Sequence, residues 1–193
     1  MDAGAQIQSS YMVYGHVFLA VCAVFYLLWW WIFFRPDAPK LEGAAFYGGA
    51  AVIVVAALFG IAAIGMICVS LSAYGSCGAV SGWLINVGAV IAYIALMLLT
   101  KKVFDRPVTT ELLLIVGWAA LELNVLNTLF GAGVLSAGSA IALLVLVAVL
   151  FAASMVCYVL YFNLGPLASF IDGAVPLAVV GVVSVAFAVL IGA

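Results

Sequence analysis

AAFYGGAAVIVVAALFGIAAIGMICVSLSA (44–73) carries no charged residue from end to end. As a helix it would extend about 45 Å, well beyond the roughly 30 Å hydrocarbon core of a bilayer. Alanine, glycine and β-branched residues are mixed with no polar face, so the stretch is hydrophobic all round, as a membrane span is. Just before it lies RPDAPKLEG (35–43), which holds Arg35 and Lys40. The chain's other three basic residues, Lys101, Lys102 and Arg106, fall in KKVFDRP (101–107). These two segments separate long apolar runs.

The rest of the chain has the same character. It is 70% hydrophobic and 6% charged, with mean hydropathy +1.45, more apolar surface than a soluble domain of 193 residues could bury. A net charge of −2 leaves no basic surface for nucleic acid. No linker or low-complexity tract divides residues 1–193, which read as a single transmembrane domain. MDAGAQIQSS (1–10) has no basic residue of the kind that opens a secretory leader, so Tyr11 onward is expected to be a retained helix.

Apolar runs of roughly 20 residues or more predict six spans, near 11–34, 44–73, 80–100, 109–130, 139–163 and 166–192. The fold class is therefore all-α, a polytopic bundle of six transmembrane helices. Arg35-Pro36-Asp37 stops the first span, because proline cannot continue a helix and the charges need water. Gly75-Ser76-Cys77-Gly78 is a tight turn. The fourth span opens on Pro107-Val108-Thr109-Thr110-Glu111, with a capping threonine and an acid suited to the positive helix end. Gly131-Ala132-Gly133 ends that span, and Leu164-Gly165-Pro166 joins the last two.

Basic loops stay on the cytoplasmic side. Loops 35–43 and 101–108 are thus expected in the cytoplasm of a bacterial-type inner membrane, with both termini outside. The aromatic belt agrees: Trp29, Trp30 and Trp31 fall at the cytoplasmic end, and Tyr11, Tyr14, Tyr74 and Trp83 at the outer ends. The tryptophan triplet reads first as an interfacial anchor, and second as a stacking or gating site. A weak internal echo lines up Phe46-Tyr47-Gly48-Gly49-Ala50 with Phe170-Ile171-Asp172-Gly173-Ala174, and Cys22/Tyr26 with Cys157/Tyr161. It suggests three repeated helical hairpins, an arrangement that often encloses a pathway at its axis.

Two acids lie inside spans. Glu122 is about 18 Å into the fourth helix and Asp172 about 9 Å into the sixth. A carboxylate at the midplane costs at least about 2.5–3.5 kcal/mol unless protonated, paired or wet. No basic residue lies within a span, so Glu122 is expected to carry its proton. It has two readings, a proton or solute contact and a neutral acid bonded to an asparagine nearby. Trp118 shares its face; Asn124, Asn127 and Thr128 cluster nearly opposite, at about 100° per residue. A helix with two polar faces belongs in the middle of the bundle. The asparagines, with Asn86 in the third span, read equally as interhelical glue and as solute contacts. Tyr93 is the third span's one aromatic pathway candidate. His16 reads as a satisfied interfacial histidine before it reads as a proton sensor. Cys68 and Cys77 both fall near the outer second-to-third turn, where a disulfide is an option. Cys22 and Cys157 are expected to be buried and inert. Pro176 leaves the Asp172 carbonyl without its helical donor.

Two local motifs carry a family resemblance. One is Ala45-Phe46-Tyr47-Gly48-Gly49 after Pro39-Lys40; the other is Ile171-Asp172-Gly173 after Leu164-Gly165. With the six-span layout, they make the chain resemble the bacterial amide and urea channels. That resemblance implies a thrice-repeated hairpin, external termini and a narrow pore for a small neutral solute. The chain departs from the family's pattern in the fifth span, which has no tryptophan, only Tyr158, Tyr161 and Phe162, and in having a single histidine.

The expectation is a channel or facilitator for a small polar solute, open to proton linkage through Glu122 and assembled from several copies of the chain. Its polar contacts would be Glu122, Asp172, Asn124, Asn127, Asn86, Trp118 and Tyr93. The runner-up is an accessory subunit that packs a larger complex. A membrane enzyme ranks last, since no nucleophile–base set, bis-histidine pair or CxxC is present. No cofactor or metal is expected.

Overall fold

A computed structural model gives the fold and describes residues 3–75, 77–105 and 110–192, without the side chains of residues 3–9 and 162. The order is α1 (Ala3–Phe34), α2 (Gly43–Tyr74), α3 (Gly82–Val103), α4 (Thr110–Gly131), α5 (Ala137–Leu160), a turn of 3-10 helix (Tyr161–Asn163) and α6 (Pro166–Gly192). No strand occurs among the described residues. All six helices are long and apolar enough to cross a membrane. The chain is a multi-pass membrane protein.

Most helix ends lie within about three residues of the sequence expectation. The exception is α1, which begins at Ala3 rather than at Tyr11. Gln6-Ile7-Gln8-Ser9-Ser10 is too polar to register as a span, yet glutamine and isoleucine sit comfortably in a helix. Within the fully described part of α1, the membrane-length apolar stretch runs from Ser10 to Phe34. The helix α5 opens two residues earlier than expected, because Ser136 caps it by accepting from the Ser139 N–H at 3.1 Å. The turn at Ser76 and the capping Thr109 lie outside the described residues. Glu111 is in the first turn of α4 as anticipated. Gly133, at φ +71°, closes α4 in the left-handed conformation that glycine adopts without strain.

Within residues 1–193 the helices group into two compact units. The first holds α1, α2 as far as Ser70, and α6. Here α1 packs along α6. Gly181 permits the approach, since a Cβ there would meet the Ala23 methyl at 3.2 Å. His16 is fully buried, stacked on Phe187 at 5.0 Å between ring centroids, and Nδ1 donates to the Met12 carbonyl at 2.8 Å. It is thus a satisfied residue in the core of this unit. Against α2, Gly15 lies beside Ile67, and Phe59 sits between Phe18 and Phe25. Of the tryptophan triplet, Trp30 donates to the Phe170 carbonyl of α6 at 2.9 Å, while Trp31 stays 53% exposed. One tryptophan is a helix-to-helix tie and its neighbour faces outward.

The second unit runs from Leu71 to Phe162. The helix α4 packs against both α3 and α5, and over half of its core stretch is buried, against none of that in α3. It is the middle helix of this unit, as its polarity on two faces requires. Leu112, Ile115 and Val116 of α4 close on Tyr158 of α5, with Tyr93 and Phe151 packed around them.

All four cysteines are free thiols. The optional Cys68–Cys77 disulfide is not formed. Cys22 and Cys157 are half-buried rather than buried.

Candidate functional site

The buried face of α4 reads Ile115, Trp118, Ala119, Glu122, Val125, Leu126 and Leu129, the three-and-four spacing of one helix stripe. Glu122 is at its centre and fully buried. Every other member of the stripe is apolar or an indole. Trp118 stands one turn away on the same face, 8% exposed. Its Nε1–H is wholly buried and meets no acceptor among the described residues. A buried indole N–H normally finds one.

The opposite face of α4 is polar in another way. Asn124 donates through Nδ2 to Asn86 Oδ1 of α3 at 2.9 Å and to the Ala120 carbonyl at 2.8 Å. Asn127 accepts from the Val80 N–H at 2.8 Å and donates to the Val80 carbonyl at 2.7 Å. These amides hold the α2–α3 connection and α3 against α4. Around them opens a recess of about 520 Å³, bordered by Ser72, Ser81, Gly82, Asn124, Asn127 and Thr128. It reaches about 6 Å along α4, from Asn124 to Thr128. A separate groove of about 500 Å³ between α3, α4 and α5 is lined only by apolar residues, among them Gly88, Ala92, Ala119 and Ala148.

Comparison with models of protein families, with curated proteins and with solved structures finds no match.

The chemistry must therefore be read from the geometry. Glu122 and Asn124 are two residues apart, so about 160° apart around the helix. Glu122 and Trp118 share one face of α4; Asn124 and Asn127 share the other, where Asn86 of α3 meets Asn124, and these candidates of the second unit do not converge on one site. Tyr93 packs into the apolar cluster with Leu112, Ile115 and Tyr158. Asp172, in the first unit, heads the buried stripe Pro176, Val179, Val183 and Phe187 of α6. It is half-buried, and its Oδ2 is enclosed with no hydrogen-bond partner among the described residues. No cluster of three or more His, Cys, Asp or Glu able to hold a metal occurs among the described residues.

Two participants escaped the sequence reading. Val80 offers only backbone to Asn127, forty-seven positions away, and nothing in its side chain marks it. Gly131 is the second: a Cβ there would overlap the Cys77 carbonyl and come within 2.6 Å of the Ala79 nitrogen. The Gly-Ala-Gly run (131–133) signals a helix end, yet its first glycine is required for this close approach.

Proposed function

We propose that this chain is a channel or facilitator for a small polar solute, with the Trp118–Glu122 face of α4 as its polar contact. The observation that carries the reading is the Trp118 N–H, buried without an acceptor among the described residues, one turn from a fully buried carboxyl. An indole donor and a carboxyl can replace part of the water shell of a small polar solute. Apolar neighbours on the stripe leave an ion without compensation. Proton linkage enters through the same Glu122. The working form is a homo-oligomer in a bacterial-type inner membrane, loops 35–43 and 101–108 facing the cytoplasm. It is a facilitator rather than an enzyme.

A second reading, an accessory subunit without transport, has its own support. The amides of Asn124 and Asn127 are engaged within the protein.

Light-scattering swelling of proteoliposomes with urea, acetamide and glycerol separates the two. Solute-selective flux above that of empty liposomes, reduced in Trp118→Phe and altered in Glu122→Gln, is expected of the facilitator. Flux equal to empty liposomes, with the protein folded, would favour the accessory subunit.

A further inference from the structure

The helix α1 has no charged residue in its last turn and ends at Phe34. Arg35 is the first charge after it. The Arg35 guanidinium carbon lies 5.8 Å from the centroid of the Trp31 ring, one turn back. Trp31 is itself held edge-on to Phe170 of α6, at 5.7 Å. Trp30 fixes the same residue by donating to its carbonyl. Two helices thus hold the indole that supports the guanidinium.

Arg35 Nε is enclosed and meets no acceptor among the described residues. A guanidinium N–H withdrawn from water without an acceptor is unfavourable. The nearby loop acids, Asp37 and Glu42, are exposed. Lys40 lines a different recess, with Glu42, Phe33 and Phe46. Trp31, under the guanidinium, is 53% exposed, and Phe34, stacked on Trp30, is 43% exposed; both present aromatic surface. Arg35 as a whole is only half-buried, so the outer N–H groups of this cation stay within reach of the surroundings beside the exposed Trp31 ring, at the end of a membrane span.

We propose that the Arg35–Trp31 corner seats the phosphate of a membrane phospholipid. The planar guanidinium offers parallel N–H donors that match phosphate oxygens. Indoles sit at headgroup level, so Trp31 and Phe34 can take the first carbons of the acyl chains. The shared chemistry is a phosphate oxygen, and the source is a lipid rather than a soluble phosphate.

Native mass spectrometry of the full chain in a non-ionic detergent tests this. Phosphatidylglycerol, phosphatidylcholine and diacylglycerol are added in turn, and glycerol phosphate is offered as a soluble competitor. Both phospholipids are expected to be retained and diacylglycerol is not. Arg35→Gln should lower retention on the order of tenfold, and Arg35→Lys by less, because lysine has no fork. Trp31→Leu should also weaken retention while keeping every charge, and Lys40→Gln should match wild type. Circular dichroism checks that each variant is folded. Undiminished retention in folded Arg35→Gln or Trp31→Leu would overturn the proposal. So would equal retention of diacylglycerol, an equal loss in Lys40→Gln, or displacement of phospholipid by millimolar glycerol phosphate.

Discussion

Asn127 and Val80 exchange two hydrogen bonds, the asparagine amide meeting both backbone groups of the valine as a neighbouring strand would. The Ala79 N–H adds a longer bond to the Asn127 carbonyl at 3.4 Å. An asparagine that reads as a solute contact is thereby occupied as a clasp. It fastens the segment after α2 to the C-terminal part of α4, and Gly131 lets that segment lie against the helix.

Asn127→Leu removes both amide bonds and leaves the Val80 groups to find water. The expected loss is about 1–3 kcal/mol, read as a lower midpoint of thermal unfolding in detergent. Asn127→Asp keeps an acceptor for the Val80 N–H and should fall between leucine and wild type. Gly131→Ala, which presses a methyl into the Cys77 carbonyl, should cost about 1–3 kcal/mol through backbone displacement. If Asn127→Leu unfolds like wild type, the clasp contributes nothing.

The six helices are legible because charge is excluded from long runs and returns at the loops, and that pattern survives any detail of packing. The central place of α4 is legible for a related reason: Trp118/Glu122 and Asn124/Asn127 point to opposite sides, and both faces need protein neighbours. The polar N-terminal turns of α1 are not, since Gln6 and Ser9 suit a helix in water as well as a loop. Nor is the task of Asn127, because an amide that binds a backbone and one that binds a solute are the same residue, and Val80 carries no mark. Tyr93 shows the same limit. Its ring serves a pore wall or an apolar cluster equally, and its packing beside Leu112 and Tyr158 is visible only in the structure. The open donor capacity of Trp118 Nε1 is a property of the packed structure alone.

The thiols offer a test of connectivity and sidedness. Titration of unreduced, denatured protein should find four thiols per chain, since all four cysteines are free; a Cys68–Cys77 bond would leave two. In sealed vesicles a membrane-impermeant maleimide should label Cys77, which is exposed beyond α2. Cys68 should label slowly, because it lies about 9 Å inside the end of the helix. Labelling of Cys77 only from the cytoplasmic face would reverse the proposed orientation.

Trp30→Phe isolates the tie between α1 and α6. Phenylalanine keeps a ring to stack on Phe34 and Phe170, which have ring centroids 4.4 Å and 6.3 Å away, and loses the indole bond to the Phe170 carbonyl. The expected cost is about 1 kcal/mol, again in thermal unfolding. Trp31→Phe, at an exposed ring that makes no such bond, should cost less. Equal effects would mean that ring size, and not the hydrogen bond, sets the contribution of this corner.

Glu122→Leu sets stability against function at the centre of α4. Leucine is close in volume and continues the apolar stripe of Ile115, Val125 and Leu129. A buried acid whose only role is structural should be costly to lose, because its hydrogen-bonding neighbours would be stranded, about 1–3 kcal/mol. An acid retained for function is a burden on the fold, and replacing it with a well-packed apolar residue should be neutral or stabilising. The facilitator reading therefore expects an unfolding midpoint equal to or above wild type, together with loss of solute flux. Glu122→Gln, which keeps two hydrogen-bonding atoms but cannot release a proton, then divides the chemistry further. Flux retained in glutamine and lost in leucine marks a hydrogen-bonding contact for a neutral solute, whereas flux lost in both marks a proton that must come and go. A lowered midpoint in Glu122→Leu with flux unchanged would remove Glu122 from any pathway and leave it as a structural acid.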